Sequence, residues 1–351
     1  MTQSIAPSIS VIVCAYNGAK VIQSCLQSLI EQTASVNSYE VIIIDDESND
    51  RTFEVAADFV DEQNGNILSI RLVRIRHGGL SIARNTGLFL AKGEIVAYID
   101  QDAVADKNWV SEILKAWKAV PDADVIGGQV RARNIANQTA HFLFLVYYEP
   151  IEKNAIIGTN MTFKKERLLE VGAFGDPFAC RGDETFLFYK MGSDHKEVKW
   201  SQAIVFHDWP VSIRQWLKER ISNGEMHRLI TRILEDRKSL FKVFLFKRLS
   251  IIAIAIFLGA LLPPKFMWGI IFVLFVFLLR GIRHGTFKMC KDNYPFIAVL
   301  FLPLLWQVLN EIGEWLFHIG RWRGYRIPFD KSCALKGTLE DKNIIQVVVN
   351  H

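Results

Sequence analysis

Cysteine is scarce: Cys14, Cys25, Cys180, Cys290 and Cys333 are scattered, odd in number and without paired spacing. That excludes a disulfide framework and the ligand spacing of a structural zinc site. The first strand leads into no G-x-G-x-x-G, and no G-x-x-x-x-G-K-[ST] occurs anywhere, which counts against a dehydrogenase and a P-loop NTPase. Internal repeats and low-complexity stretches are absent. The N-terminus, Met-Thr-Gln-Ser-Ile-Ala-Pro, lacks a basic start followed by an apolar core, so no secretory signal is read and the first domain is expected in the cytosol. Net charge is only +4 and no recognition motif accompanies it, so nucleic acid is not an expected partner.

What the chain has in excess is apolar residues. Half of its 351 residues are hydrophobic, and mean hydropathy is +0.16, high for a soluble enzyme. The excess is uneven. Up to about Phe241 apolar and charged residues alternate as in a globular domain; beyond it come Leu249–Leu262, Phe266–Leu279 and Pro295–Leu309, almost free of charge. We therefore expect a catalytic domain over 1–236, a membrane-associated helical region over 237–330 with two or three hydrophobic segments, and a C-terminal tail over 331–351. The first two blocks are short for straight spans, and Pro263-Pro264-Lys265 between them suggests a tight hairpin. Lys247 and Arg248 before it, and Arg280, Arg283 and Lys288 after it, place both outer ends on the cytosolic side. The third block reads equally as a span or as an interfacial helix. Ser212–Glu235 spaces apolar residues with basic ones between, as a helix lying on an anionic membrane surface or docking on protein does. Trp200, Trp209 and Trp216 offer stacking surfaces for sugar or lipid, although packing is tryptophan's commoner use.

In the first domain, apolar runs at Ile9–Ala15, Glu40–Ile44, Leu68–Ile75 and Glu94–Ile99 alternate with helical spacings at Lys20–Glu31, Thr52–Phe59 and Leu80–Ala91. This is the pattern of βαβ units in a parallel sheet covered on both faces. A looser second half follows. Helices are expected over Trp109–Val120 and Thr139–Tyr148, and strands over Asp124–Ala132, Ile156–Phe163 and Val198–Phe206.

Ligands of such sheets bind at the carboxyl ends of the strands, and there the sequence places Asp45 and Asp46, then Asp100 and Asp102. Clustered carboxylates repel unless a cation sits among them. Oxygen ligands favour Mg2+ or Mn2+, shared with substrate phosphates. Helix capping is the plainer use of Asp, and for Asp50 and Asp106 it is the expected one.

The segments Ser10–Gly18, Glu40–Asp50, Gly78–Gly87, Tyr98-Ile-Asp-Gln-Asp102, Gly158–Phe163, Val171–Phe174 and Gly182–Leu187 occur in the order seen in family 2 glycosyltransferases of GT-A fold, which the chain resembles from Ile9 to Gly224. The resemblance implies an α/β, Rossmann-like GT-A domain that moves a sugar from a nucleotide-diphosphate donor, with inversion. By it, Ala15, Tyr16 and Asp46 would hold base and ribose, and Arg84 would lie near the phosphates. Asp100 and Asp102 would form the D-x-D pair, with Asp102 and His207 on the metal. Glu184, with Asp183 as its rival, would be the catalytic base. Glu47 stands where the family has glycine, and Asp183-Glu184 reverses the family's Glu-Asp order. The expected partners are a nucleotide-sugar donor, a lipid-linked or saccharide acceptor, and membrane lipid. A processive polysaccharide synthase, disfavoured by the missing Q-x-x-R-W, and a non-catalytic sugar-nucleotide-binding membrane protein are the alternatives.

Overall fold

The computed structural model of the chain describes residues 7–65, 67–149, 151, 155–175, 182–233, 309, 312–313, 316–317, 319, 321 and 344–350. Apolar runs rich in β-branched residues form β1 (Ile9–Ala15), β2 (Tyr39–Asp45), β3 (Ile70–Ile75) and β4 (Ile95–Asp100). These four are parallel, in spatial order β3-β2-β1-β4. They alternate with α1 (Ile22–Ile30), α2 (Thr52–Glu62) and α3 (Leu80–Leu90). The period of two along β1 divides its side chains between two cores. Ile9, Val11 and Val13 pack with α1, α2 and α4 (Trp109–Ala119), while Ile12 faces α3. Both faces are thus covered, which is why the strands read as continuous apolar runs.

Additions of mixed parallel and antiparallel pairing extend the sheet beyond β4. They are β5 (Ala103–Ala105), β6 (Val125–Ala132), β7 (Asn160–Lys164) and β8 (Glu197–His207), giving the order β5-β8-β6-β7-β4. Helices α5 (Gln138–Leu143), α6 (Lys165–Glu170), α7 (Asp183–Met191) and α8 (Ile213–Ile233) complete the described elements. Three differences from the sequence expectations are physical. The strand expected from Ile156 begins at Asn160, because Gly158-Thr159 is a turn. The helix expected through Tyr148 becomes a π-helix over Phe144–Tyr148. The stretch 331–351, expected as a tail, contains β9 (Ile344–Val349), which pairs antiparallel with β3 and closes that edge of the sheet. Asn350 fixes the pairing by accepting from the Ile70 N–H and donating to the Leu68 carbonyl.

The chain divides into two compact units. The first is Met1–His141, Pro150–Trp209 and Pro328–His351; the second is Phe142–Glu149 and Pro210–Ile327. The first holds the whole sheet. In the second, Trp216, Leu229 and Ile233 of α8 are buried, so the apolar side of this basic helix meets protein. Trp216, read as a stacking surface, is fully buried against Phe142, Leu143 and Leu309, the packing use that its area favours. Among the described residues no helix is long and apolar enough to cross a membrane. The blocks Leu249–Leu262 and Phe266–Leu279, and all of Pro295–Leu309 except Leu309, lie outside the described residues.

At the strand end remote from the acidic rim, a buried carboxylate ties three elements together. Glu40 is 1% exposed. It accepts from the Ser10 hydroxyl at 2.7 Å, from the Lys92 N–H at 2.7 Å and from the Arg71 guanidinium at 2.7 Å. Glu40→Ala removes the Arg71 counter-charge, leaving that guanidinium only the Leu90 carbonyl, and takes the acceptor from the Ser10 hydroxyl, so we expect a loss of about 3–5 kcal/mol, read by urea unfolding. A loss below about 1 kcal/mol would contradict the role given to this network.

Candidate active site

Every carboxylate singled out from sequence sits where a parallel strand ends or a helix begins. β2 ends at Asp45 and is followed by Asp46; β4 ends at Asp100, with Asp102 two residues on; α7 starts at Asp183 and Glu184; β8 ends at His207. Parallel pairing puts Ala15 beside Asp45 and Cys14 beside Asp100, so β1 brings the two acidic ends to one rim.

Asp100, Asp102 and His207 offer ligand atoms that all lie within 4.8 Å of one another, the one such group of three among the described residues. Ligands of a Mg2+ or Mn2+ ion sit about 2.1 Å from it, so opposed ligands are roughly 4.2 Å apart. Small side-chain rotations close the difference. Two carboxylates and an imidazole suit Mn2+ well, since imidazole is a softer donor than Mg2+ prefers. Of the three, Asp100 is held from behind. Asp100 accepts from the Thr159 hydroxyl at 2.6 Å and lies 3.6 Å from Arg84. Asp102 is half-exposed, and its carboxylate lies 3.3 Å from His207 Nε2. Burial pushes the Asp102 carboxyl up, but the hydrogen bond and charge of His207 outweigh it and hold the group below its ordinary value. Burial likewise pushes His207 down, and its bond to Asp102 and the surrounding carboxylates raise it above the usual histidine value. The Nδ1 atom of His207 is buried with no hydrogen-bond partner, and Trp209 stands edge-on to the ring at 5.1 Å.

The cation that clustered carboxylates require is supplied in part by the chain. Arg84, 3% exposed, lies 2.7 Å from Asp183 and donates to the Gly158 carbonyl at 3.3 Å. Its guanidinium also lies over the Tyr98 and Phe174 rings at 5.7 and 5.4 Å. Asp100 and Asp183 thus share one arginine, and Asp102 is left facing His207. Asp183 is fully buried. Glu184 beside it is only partly buried, yet burial and the neighbouring Asp183 push its carboxyl up to about 8.

The residues expected on the base side are tied to their neighbours. Asp46 is 4% exposed and accepts from the Gly78 and Gly79 N–H groups at 2.8 and 2.9 Å. It also lies 2.9 Å from His77 Nδ1. The carboxylate therefore staples the 76–79 loop to the rim. Burial raises its pKa despite these donors. The Ala15 carbonyl accepts from the Asp46 N–H at 2.9 Å. Tyr16 is exposed, and its ring stacks on His77 with centroids 4.6 Å apart. Glu47 adopts φ 56°, the left-handed conformation that glycine takes without strain. Its carboxylate accepts from the His77 N–H at 3.0 Å, so the departure from glycine preserves the turn and adds a tether. Sequence reasoning gave no role to His77, to Thr159, or to Gln101, whose side chain both accepts from the Tyr16 N–H and donates to its carbonyl. Gln101 and Thr159 lie inside quoted motifs, and His77 immediately precedes one; their positions were the available signal. Asp50 accepts from the Thr52 and Ala19 N–H groups, and Asp106 from the Asn108 N–H, but the N-caps of α2 and α4 are Arg51 and Asn108, so the two carboxylates brace the turns before those helices instead of capping them as expected.

Comparisons with known proteins agree with this geometry. Residues 10–178 match the family described as Glycosyl transferase family 2. The glycosyltransferase AglE of Haloferax volcanii is 30% identical over 186 residues, covering 51% of this chain and 60% of that protein. The glucosyl-dolichyl phosphate glucuronosyltransferase of the same organism is 27% identical over 190 residues, covering 50% and 58%. These matches span somewhat over half the length of each relative. The mannosyltransferase PcManGT from Pyrobaculum calidifontis, solved with GDP-Man and Mn2+, aligns with a TM-score of 0.53 at 19% identity, covering 91% of this chain and 86% of that one. That likeness concerns the fold. The motif order, the rim of carboxylates and the matched segment agree: residues 10–178 are similar to glycosyl transferase family 2, and the fold is a GT-A-type α/β fold.

Proposed function

We propose that the chain transfers a sugar from a nucleotide-diphosphate donor, with inversion, to a membrane-associated, lipid-linked acceptor, in a divalent-metal-dependent reaction. The observation that carries the donor and metal part is the grouping of Asp100, Asp102 and His207 at the rim that β1 shares with Asp46. These three side chains would hold Mn2+ or Mg2+. When bound, the ion neutralises charge on the diphosphate leaving group. PcManGT, whose complex contains GDP-Man and Mn2+, supports that reading.

The remaining roles fall to the chain's own groups. Tyr16 and Ala15, with the Asp46-stapled loop, would receive base and ribose. We assign Arg84 to positioning, since its guanidinium is committed to Asp183 and Asp100. The same pairing separates the two rivals for the base: Asp183 is buried against an arginine, whereas Glu184 keeps some exposure and a raised pKa. Glu184 would take the acceptor hydroxyl's proton, a step that favours a base whose pKa lies near the working pH.

The lipid-linked acceptor and a membrane location with the catalytic domain on the cytosolic side rest on the apolar blocks and on the dolichyl phosphate named in the Haloferax relative. The test is a screen of UDP-, GDP- and dTDP-sugars with membranes carrying the full chain, following nucleoside diphosphate release with and without Mn2+. One donor is expected to be consumed, only with metal. Saturable donor binding without release in any condition would leave a sugar-nucleotide binder instead.

A further inference from the structure

Backbone strain in the described residues is concentrated on the base side of the rim. Three residues other than glycine adopt left-handed conformations: Asn17 at φ 51°, Glu47 at 56° and Ala173 at 54°. Asn17 and Glu47 lie in the loops that follow β1 and β2, and these loops interlock. The Asn17 N–H donates to the Ser48 hydroxyl at 3.0 Å, and the Asn17 side chain accepts from the Asn49 N–H at 2.8 Å. Asparagine tolerates the left-handed region because its short polar side chain bonds locally in this way. Glutamate is held there against its own preference. Its neighbour Ser48 is pinned on both sides: the Ser48 N–H donates to Asp45 at 3.3 Å, and its carbonyl accepts from Arg74 at 2.9 Å. The turn is thus imposed on position 47 from outside, and glycine would take it with least strain.

Glu47 is exposed, so packing does not account for its side chain. What the carboxylate does is accept from the His77 N–H at 3.0 Å. His77 is the hub of the base side. Its Nδ1 lies 2.9 Å from the Asp46 carboxylate and 3.1 Å from the Asp46 carbonyl. Both neighbours are acceptors, so this nitrogen carries the proton and donates. The His77 ring stacks on Tyr16, and the Tyr16 hydroxyl accepts from the Asn49 side chain at 3.3 Å. The ring pair is therefore held by Asn49 at the Tyr16 hydroxyl, by Asp46 at the imidazole and by Glu47 at the His77 backbone.

We infer that Glu47 is a positioning residue for the nucleoside half of the donor: by holding the His77 backbone it fixes the Tyr16–His77 ring pair before the donor arrives. The inference rests on the nucleotide-sugar reading of the rim and adds that its base platform is preformed. A platform fixed in advance lowers the ordering cost of binding. Removing the tether leaves Gly78 and Gly79 bonded to Asp46, so the loop stays in place and the effect falls on affinity, not on the fold.

The test is isothermal titration of the purified full chain with UDP, GDP and dTDP, each with Mn2+, and with inorganic pyrophosphate and Mn2+ as the probe of the phosphate half alone. Glu47→Gly is expected to weaken the best-bound nucleoside diphosphate about fivefold, the scale of one net hydrogen bond, while pyrophosphate changes by less than about twofold. Glu47→Gln keeps an acceptor without the charge and is expected to restore nucleotide affinity to within about twofold of wild type. The melting temperature of Glu47→Gly should be no lower than that of wild type, since glycine relieves the left-handed backbone. In turnover of the donor that the screen identifies, the same variant should raise donor KM with kcat unchanged. Equal nucleotide affinity in wild type and Glu47→Gly overturns the inference and leaves the donor reading standing. So does a Glu47→Gly protein that melts lower and loses pyrophosphate as much as nucleotide, which describes a brace of the fold. Tighter binding of both ligands in Glu47→Gly and Glu47→Gln alike also overturns it, because the residue would then act only as a negative charge near phosphate. A wild-type chain that binds none of the three nucleoside diphosphates overturns the donor reading, and this inference with it.

Discussion

Asp102→Ala is expected to reduce metal-dependent sugar transfer about a thousandfold, the scale of several kcal/mol of leaving-group stabilisation, while leaving the fold in place. The reasoning is local. Asp102 is half-exposed, and its one ion pair among the described residues is with His207 at 3.3 Å, an interaction worth below about 1 kcal/mol at such exposure. Stability is therefore expected to change little. Asp100 keeps its hold on Thr159 and Arg84 in the variant, so the rim persists with one fewer ligand. Circular dichroism and urea unfolding check the fold, and nucleoside diphosphate release checks the chemistry. Wild-type turnover in a folded variant would remove Asp102 from the metal site.

Glu184→Gln is expected to lower kcat by about a hundredfold to ten-thousandfold with donor KM nearly unchanged, the range for loss of a general base. The pH profile gives a second readout. The base must be ionised to accept a proton, and the Glu184 carboxyl is pushed up to about 8. Wild-type kcat/KM is therefore expected to rise with pH through about 8, and this limb should vanish in the variant. The same shift affects stability with a definite sign. A carboxyl whose folded pKa is raised contributes stability that is present below its unfolded value and lost as pH rises through the folded one. Hence Glu184→Gln should leave stability unchanged near pH 4.5 and raise it at pH 9. If Asp183→Asn, and not Glu184→Gln, removed the limb while sparing the fold, the base assignment would move to Asp183.

The parallel half of the sheet was legible because its strands are long, continuous and bounded by turn residues: β1, β2 and β4 fall within a residue of where the apolar runs place them. β5 spans three residues and pairs only with the end of β8, too short a stretch to carry a period. β9 escaped for a different reason. Ile344–Val349 becomes a strand by pairing with β3, far away in the chain, and nothing local announces that partner. The site divides similarly. Asp100 and Asp102 stood out at a strand end and His207 through the family resemblance, and the fold groups the three. The stapling of Asp46 to Gly78 and Gly79, and the sharing of Arg84 between Asp100 and Asp183, depend on how separate loops close on each other. Arg84 also corrects the premise that clustered acids demand a foreign cation, since one arginine already sits among them.

The most direct measurement is Mn2+ binding, followed by the loss of the free-ion electron paramagnetic resonance signal in the presence of the donor's nucleoside diphosphate. Wild-type chain is expected to bind Mn2+ at one site whose affinity rises with the nucleotide and falls at least about tenfold in Asp102→Ala, as for removal of one ligand. Equal Mn2+ affinity in the two proteins, with nucleotide still bound, would contradict the account.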